Sequence, residues 1–382
     1  AAFAAAGFRV ICVDPVPPVT EEADDGADLR STAFLMPSIR LFERAGLWER
    51  LAPNAAPLRV MRIADAGGAD PVIRETADFR ADEVGEAVFG YNLPNWLLRR
   101  EMVARLDELP GAELRAGTGV AHLTPRSREA IARLSDGDQI RAKLVVAADG
   151  RDSSVREGLG IPARRWSYAQ KALVFTVTHD LPHDGVSTEI HRSGGPFTLV
   201  PLPDRDGGHA SAVVWMEHGP RALSLADLDT KDFETELNAR ACGVLGNLRL
   251  ASPRRIWPII SQAADRLDGP RTALVAEAAH VIPPIGAQGL NMSLRDISTL
   301  LDISAEARDA GSDIGAADLL SRYNRTRHPD ILMRVAGVDA LNRAAMTDIQ
   351  VLRDLRRAGL RALFGVTPVR RSAMRLGLGA GK

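Results

Sequence analysis

The stretch Leu274-Val275-Ala276-Glu277-Ala278-Ala279-His280-Val281-Ile282-Pro283-Pro284-Ile285-Gly286-Ala287-Gln288-Gly289-Leu290-Asn291 carries the strongest signal in the chain. It reads as a short buried strand ending at an acid, Glu277. Pro283 and Pro284 then stiffen the loop, because each ring fixes φ and removes a backbone donor. Gly286 and Gly289 let the backbone come close to a bound group just where a helix begins, expected over Leu290 to Ala310. A helix start has free N–H groups and a partial positive charge. It therefore stabilises an anion, or a ring that becomes anionic on reduction. A Gly-Pro loop is also compatible with a purely structural turn, so the rest of the chain has to decide.

Working outward, Leu144 to Ala148 is a second buried strand, closed by Asp149-Gly150 and followed by a helix start at Ser153-Ser154-Val155-Arg156. Open N–H groups at such a turn suit phosphate, and Asp149 is placed to accept from a hydroxyl or amide. Phe8 to Asp14 reads as a buried strand ending in an acid. In dinucleotide folds that acid binds ribose, although a lone Asp at a strand end is also a common turn residue. The Ala-rich start reads as the end of a helix stopped by Gly7, not as a signal peptide. No Gly-rich turn precedes Asp14 in this sequence, and a strand and turn upstream of Ala1 are expected.

Ala33 to Leu51 and Asn95 to Leu109 carry helical patterns, and 172 to 218 alternates as an antiparallel sheet would. Ala273 to Val275 is a further strand, and the chain beyond Ala310 is mostly helical. The 48 basic and 49 acidic residues leave a net charge of −1, which gives no bulk attraction to nucleic acid. Two cysteines, Cys12 and Cys242, exclude a disulfide framework and a Cys-based metal site, and both read as small buried hydrophobes. No cluster has metal-ligand spacing. No apolar run is long enough to span a bilayer.

Taken in order, these motifs resemble the flavin-dependent aromatic monooxygenases of the para-hydroxybenzoate hydroxylase fold, over essentially the whole chain. Asp149-Gly150 with Ser154-Val155-Arg156 matches that family's Asp-Gly motif. Glu277 to Asn291 matches its second flavin motif, with Ala276-Glu277 in place of the usual Gly-Asp. Within the family the chain is similar to the ubiquinone-biosynthesis hydroxylases, through Arg30-Ser31-Thr32-Ala33, Trp166-x-Tyr168-x-Gln170, Gly195 to Leu202, Pro284 to Asn291, and Asp339-Ala340-Leu341-Asn342.

The resemblance implies an α/β fold: a Rossmann-like FAD-binding domain lacking its first strand and Gly-rich turn, an inserted antiparallel β-sheet substrate domain, and a helical C-terminal tail. The expected division is 1–165 (with substrate-domain strands near 60–92), 166–270, 271–345 and 346–382. It implies FAD as cofactor, held by Asp14, Arg30, Asn95, Asp149, Gly150, Glu277, Pro284, Gly286, Gln288, Gly289, Leu290 and Asn291. NAD(P)H and O2 are co-substrates, and the substrate is a lipophilic phenol, a ubiquinone precursor. No protein side chain is assigned as catalytic acid or base, and His280 is read as structural. The alternatives are the same chemistry on another aromatic, or a flavin-free scaffold in a biosynthetic complex. A flavin halogenase is disfavoured, since that group relies on an early Lys and the first here is Lys143.

Trp166, Tyr168, Phe197 and Trp257 read as core, with an aromatic-binding pocket as the competing role. From Val351 onward eight basic residues stand against one acid, Asp354, with Leu and Phe between them. Such a tail suits an anionic membrane surface or a partner in a complex. The expected location is cytoplasmic, with peripheral contact at the inner membrane surface.

Overall fold

In the computed structural model of the chain, the alternating block becomes the middle of a nine-stranded sheet. The structure describes residues 1–67, 72–192, 194–204, 207–346, 368, 370–372 and 374. The long strand Ala163–His179 is the axis. It pairs antiparallel with His209–His218 on one side and with Arg255–Ala264 on the other. Gly195–Pro201 and Val186–Arg192 continue outward, and the much earlier strands Val60–Asp65 and Glu75–Arg80 complete that edge.

The period-two pattern sorts the two faces. Leu173, Phe175 and Val177 join Phe197, Val213 and Trp215 under Phe233 and Leu237 of the helix Thr230–Ala241. Phe197 is thus core, as its sequence setting suggests. The opposite face carries Ala172 and Val174, which pack with Ile285 and Val338. That face is turned toward the Gly-Pro loop, the helix Ala317–Met346 and the elements around them.

Those elements include two small parallel pairs. Val10–Asp14 pairs with Ala112–Ala116, and Val145–Ala147 pairs with Thr272–Leu274. The first strand is half-exposed rather than buried, since it has one partner strand among the described residues and Cys12 points outward. The reading of Cys12 as buried therefore fails, and Cys242 is only partly covered.

The helix expected from Ala33 begins at Met36. Ser31–Leu35 is instead a strand paired with Gly90–Pro94. Pro37 fits the first turn of the helix. Gly90 makes the strand pairing possible: a Cβ there would lie 1.9 Å from the Phe34 carbonyl oxygen. The helix Met36–Ala45 then ends at Gly46 in the left-handed region, φ 69°. Asn95–Glu108 is helical as read, and the helix after the Gly-Pro loop spans Gln288–Asp309, starting two residues earlier than its pattern suggested. A long helix, Ala317–Met346, packs against it. No helix among the described residues is long and apolar enough to cross a membrane.

Candidate active site

Three clusters of side chains converge where the small parallel strands end. The first joins Arg30 and Asn95 through a residue the sequence did not flag. Arg30 grips Asp28 with two prongs, Nε to Oδ1 at 2.7 Å and Nη2 to Oδ2 at 2.7 Å. Asn95 Nδ2 donates to the same carboxylate at 3.0 Å, and Thr32 Oγ1 donates to Asn95 Oδ1 at 2.7 Å. Burial pushes the Asp28 carboxyl upward, but the bonds from Arg30 and Asn95 outweigh it and hold it below its ordinary range. The Arg30 guanidinium is raised chiefly by the bond to Asp28, with the Glu277 charge also contributing. It lies 4.7 Å over the Trp257 ring. Trp257 is 40% exposed, so this ring is a platform for Arg30 and not core.

The second cluster is the Asp149-Gly150 turn. Asp149 Oδ1 accepts from Ser153 Oγ at 2.6 Å, and Oδ2 accepts from the Val155 N–H at 3.0 Å. Both oxygens therefore shape the turn that starts the helix Ser154–Gly158, and Gly150 completes it at φ 86°. Arg156 is buried and donates to the Arg151 and Ala278 carbonyls. Arg151 in turn pairs with Glu277, Nε to Oε2 at 3.2 Å. The two sequence motifs are thereby locked side by side. The strand before Glu277 ends at Leu274, and Glu277 sits in a 3-10 turn, Ala276–Ala278. Its longer side chain reaches Arg151 and is half exposed.

The third cluster is the Gly-Pro loop. Gly286 and Ala287 both adopt left-handed backbone, φ 61° and 55°. The following helix has no side-chain N-cap. Pro284, Gly289 and Leu290 are exposed there, Leu290 by 39%. Asn291 does not point outward. It is 8% exposed and ties the loop to the Ser31–Leu35 strand and the helix after it. His280 is buried against Asp296, Nε2 to Oδ2 at 2.7 Å, in keeping with a structural role. Asp14 stands apart: its carboxylate accepts from the Val16 N–H at 2.9 Å and meets no other candidate residue.

Beside Arg30 and Asn95 a cavity of about 540 Å³ lies between the sheet and the segments around Ser31 and Pro94. Thr176, Thr178, Leu202 and Ala210 form the sheet wall, and Leu29, Ser31, Pro94 and Trp96 the other. The volume lies within the range of ligand pockets, roughly 300–1,000 Å³. Next to Ile285, Tyr168 Oη bonds Asp339 at 2.6 Å and Ser261 at 2.7 Å, and Trp166 Nε1 bonds the same Asp339 oxygen at 3.0 Å. Trp166 and Tyr168 therefore fasten the long helix to the sheet.

These residues suit a flavin dinucleotide. A helix start with no side-chain cap follows a left-handed Gly-Ala pair, and Arg30 and the cavity lie near it, an arrangement compatible with an anionic dinucleotide. Comparison with known proteins agrees. Residues 2–375 match the FAD binding domain family. The chain is 36% identical to the ubiquinone hydroxylase UbiL of Rhodospirillum rubrum over 99% of this chain and 86% of that protein. It is 27% identical to the 3-demethoxyubiquinol 3-hydroxylase of Escherichia coli over 98% and 93%. The p-nitrophenol 4-monooxygenase PnpA of Pseudomonas putida shares the fold, with a TM-score of 0.76 at 19% identity over 98% and 92%. The chain belongs to the FAD-dependent monooxygenase family of the ubiquinone hydroxylases. Its cofactor is FAD.

Asp28, Asp296 and, on the helix Ala317–Met346, Arg327, Asp330 and Arg334 were missed in the sequence. Asp28 had a local clue, standing two residues before Arg30. Arg327, Asp330 and Arg334 had a periodic one, since spacings of three and four place them on one helix face.

Proposed function

We propose that the chain hydroxylates the ring of a lipophilic phenol, a ubiquinone precursor, with NAD(P)H and O2 as co-substrates. The observation that carries this reading is the cavity adjoining the Arg30–Asn95 cluster, taken with near full-length similarity to ubiquinone hydroxylases. FAD supplies the oxygen activation when bound. The chain's own part is to hold the cofactor through Arg30, Asn95, Glu277 and the 284–291 loop. It also seats the ring between the sheet and Pro94–Trp96 and keeps water away from it. The first N–H groups of Gln288–Asp309 stabilise negative charge at the flavin's pyrimidine edge.

Ala251 lines the cavity and is exposed, so a larger side chain there intrudes without disturbing packed core. Ala251→Trp is expected to raise KM for a short-chain ubiquinone precursor by about tenfold or more, equivalent to ~1.4 kcal/mol. FAD absorbance should stay within about twofold of the wild type. An unchanged KM would show that the ring binds elsewhere.

The lipophilic substrate also implies contact with a membrane, on the cytoplasmic side of the inner membrane. The basic C-terminal sequence is the element proposed to make it. Most of this tail lies outside the described residues, but Arg370 pairs with Glu83 at 2.5 Å and Met374 packs with Phe79 and Phe89. The proposed contact therefore rests on the bases before it. Changing Arg353, Arg356, Arg357 and Arg361 together to Gln should abolish sedimentation with phosphatidylglycerol vesicles. Each charge contributes about 1 kcal/mol near such a surface, and salt screens it. A wild-type protein that stays in the supernatant even at low salt would remove the membrane from this reading.

A further inference from the structure

Behind the Gly-Pro loop a chain of charged groups runs through both C-terminal helices and returns to the segment where it began. At one end Asp296 Oδ2 accepts from His280 Nε2 at 2.7 Å and from the Ala276 N–H at 3.2 Å. Its other oxygen accepts from Arg327 Nε at 2.9 Å. Arg327 Nη1 donates to Asp330 Oδ2 at 2.5 Å, and Arg334 Nε donates to Asp330 Oδ1 at 3.0 Å. At the far end Arg334 Nη1 donates to Gln288 Oε1 at 2.8 Å, and Gln288 Nε2 donates to the Gly286 carbonyl at 3.0 Å.

We propose that Asp296 and Arg334 are positioning residues for the flavin: they clamp residues 276–288 at both ends and bring a positive charge to the loop at the flavin's pyrimidine edge. The inference rests on the reading of Gly286–Asn291 as that edge.

Two features argue for more than structural glue. Both clamped ends carry a non-glycine residue in the left-handed region, Ala276 at φ 55° and Ala287 at φ 55°. That conformation is strained for a residue with a Cβ, so it persists only where its surroundings hold it. The charges are also ordered along the chain. Asp296 is 0% exposed at the inner end, and the cation Arg334 stands at the loop. Arg295 lies 3.6 Å from Asp330, so within this group three arginines face two aspartates. Partly buried charge is weakly screened, and Arg334 adds to the helix start in favouring an anionic reduced ring.

The test uses the FAD-loaded full chain with a reference dye of known potential. In Arg334→Gln the reduced-to-oxidised ratio of the flavin at fixed potential is expected to fall about tenfold, ~30 mV for a two-electron couple. Arg334→Lys should bring it back to within about twofold of the wild type, and the FAD dissociation constant should follow the same order. Gln288→Glu, which sets an anion beside Arg334 without touching the buried pairs, should shift the ratio in the same direction. It serves if Arg334→Gln does not fold. A lower melting temperature with an unchanged potential in these variants would reduce the chain to structural support and overturn the proposal. A wild-type protein that takes up no FAD would instead overturn the site reading beneath it.

Discussion

Asp296→Ala is expected to cost about 3–5 kcal/mol of stability, the range for breaking a buried ion pair by removing one partner. Asp296 is 0% exposed and accepts three bonds, from His280, Ala276 and Arg327. Its loss strands the Arg327 guanidinium, which is 3% exposed and, among the described residues, keeps only Asp330 as an anionic partner. It also leaves the Ala276 N–H and His280 Nε2 without an acceptor, each a cost of about 1–3 kcal/mol when buried. Arg322–Glu306 is the contrasting case. It is shorter, at 2.6 Å, but both side chains are more than half exposed. Exposed pairs contribute little because both charges stay hydrated and screened, so Arg322→Gln should barely register. Urea unfolding of the two FAD-free variants measures this directly. A loss under about 1 kcal/mol for Asp296→Ala would mean that water relieves the site and that the buried chain of charges has little structural weight.

This contrast bears on what could be read from the sequence. The turns were legible because their chemistry is local. Asp149-Gly150 needs a residue that accepts φ 86°, and the Gly-Pro loop needs φ 61° at Gly286, so the letters themselves announce the geometry. The alternating sheet was legible for the same reason, since a period of two survives without knowledge of partners. Ala33-Phe34-Leu35 was not. Three apolar residues in a row fit a helix face or a buried strand equally, and the decision came from Gly90–Pro94, far along the chain. Trp257 was misread as core because aromatic residues usually are buried, and only Arg30 above it explains its exposure. The acids that organise the site, Asp28 and Asp296, each look like ordinary charged residues until the fold sets basic partners against them. Asp14 was singled out by its place at a strand end, and its carboxylate accepts from the Val16 N–H of the turn that follows.

Asn291 should show the largest functional effect. Its side-chain oxygen accepts from the Leu35 N–H at 2.9 Å and from Ser38 Oγ at 2.6 Å. Its amide donates to the Ala33 carbonyl at 2.7 Å and to the Ala287 carbonyl at 2.6 Å. One side chain thus joins the strand leading from Arg30 to the left-handed residue of the Gly-Pro loop. Asn291→Leu keeps the volume but strands buried polar groups on both sides, so the expected stability loss is about 3–5 kcal/mol. FAD affinity should fall further than stability alone requires, by about a hundredfold, because Ala287 loses the bond that holds φ at 55° and the N–H groups after it lose their aim. The two effects separate by linkage. A ligand that binds only the folded state raises stability by RT ln(1 + [L]/Kd), so a hundredfold weaker site forfeits about 2.7 kcal/mol of FAD-dependent stabilisation at saturating ligand. Melting curves of wild type and Asn291→Leu with and without FAD give both numbers. A variant that melts early but gains the wild-type increment from FAD would place the loop's flavin-holding conformation elsewhere than in Asn291.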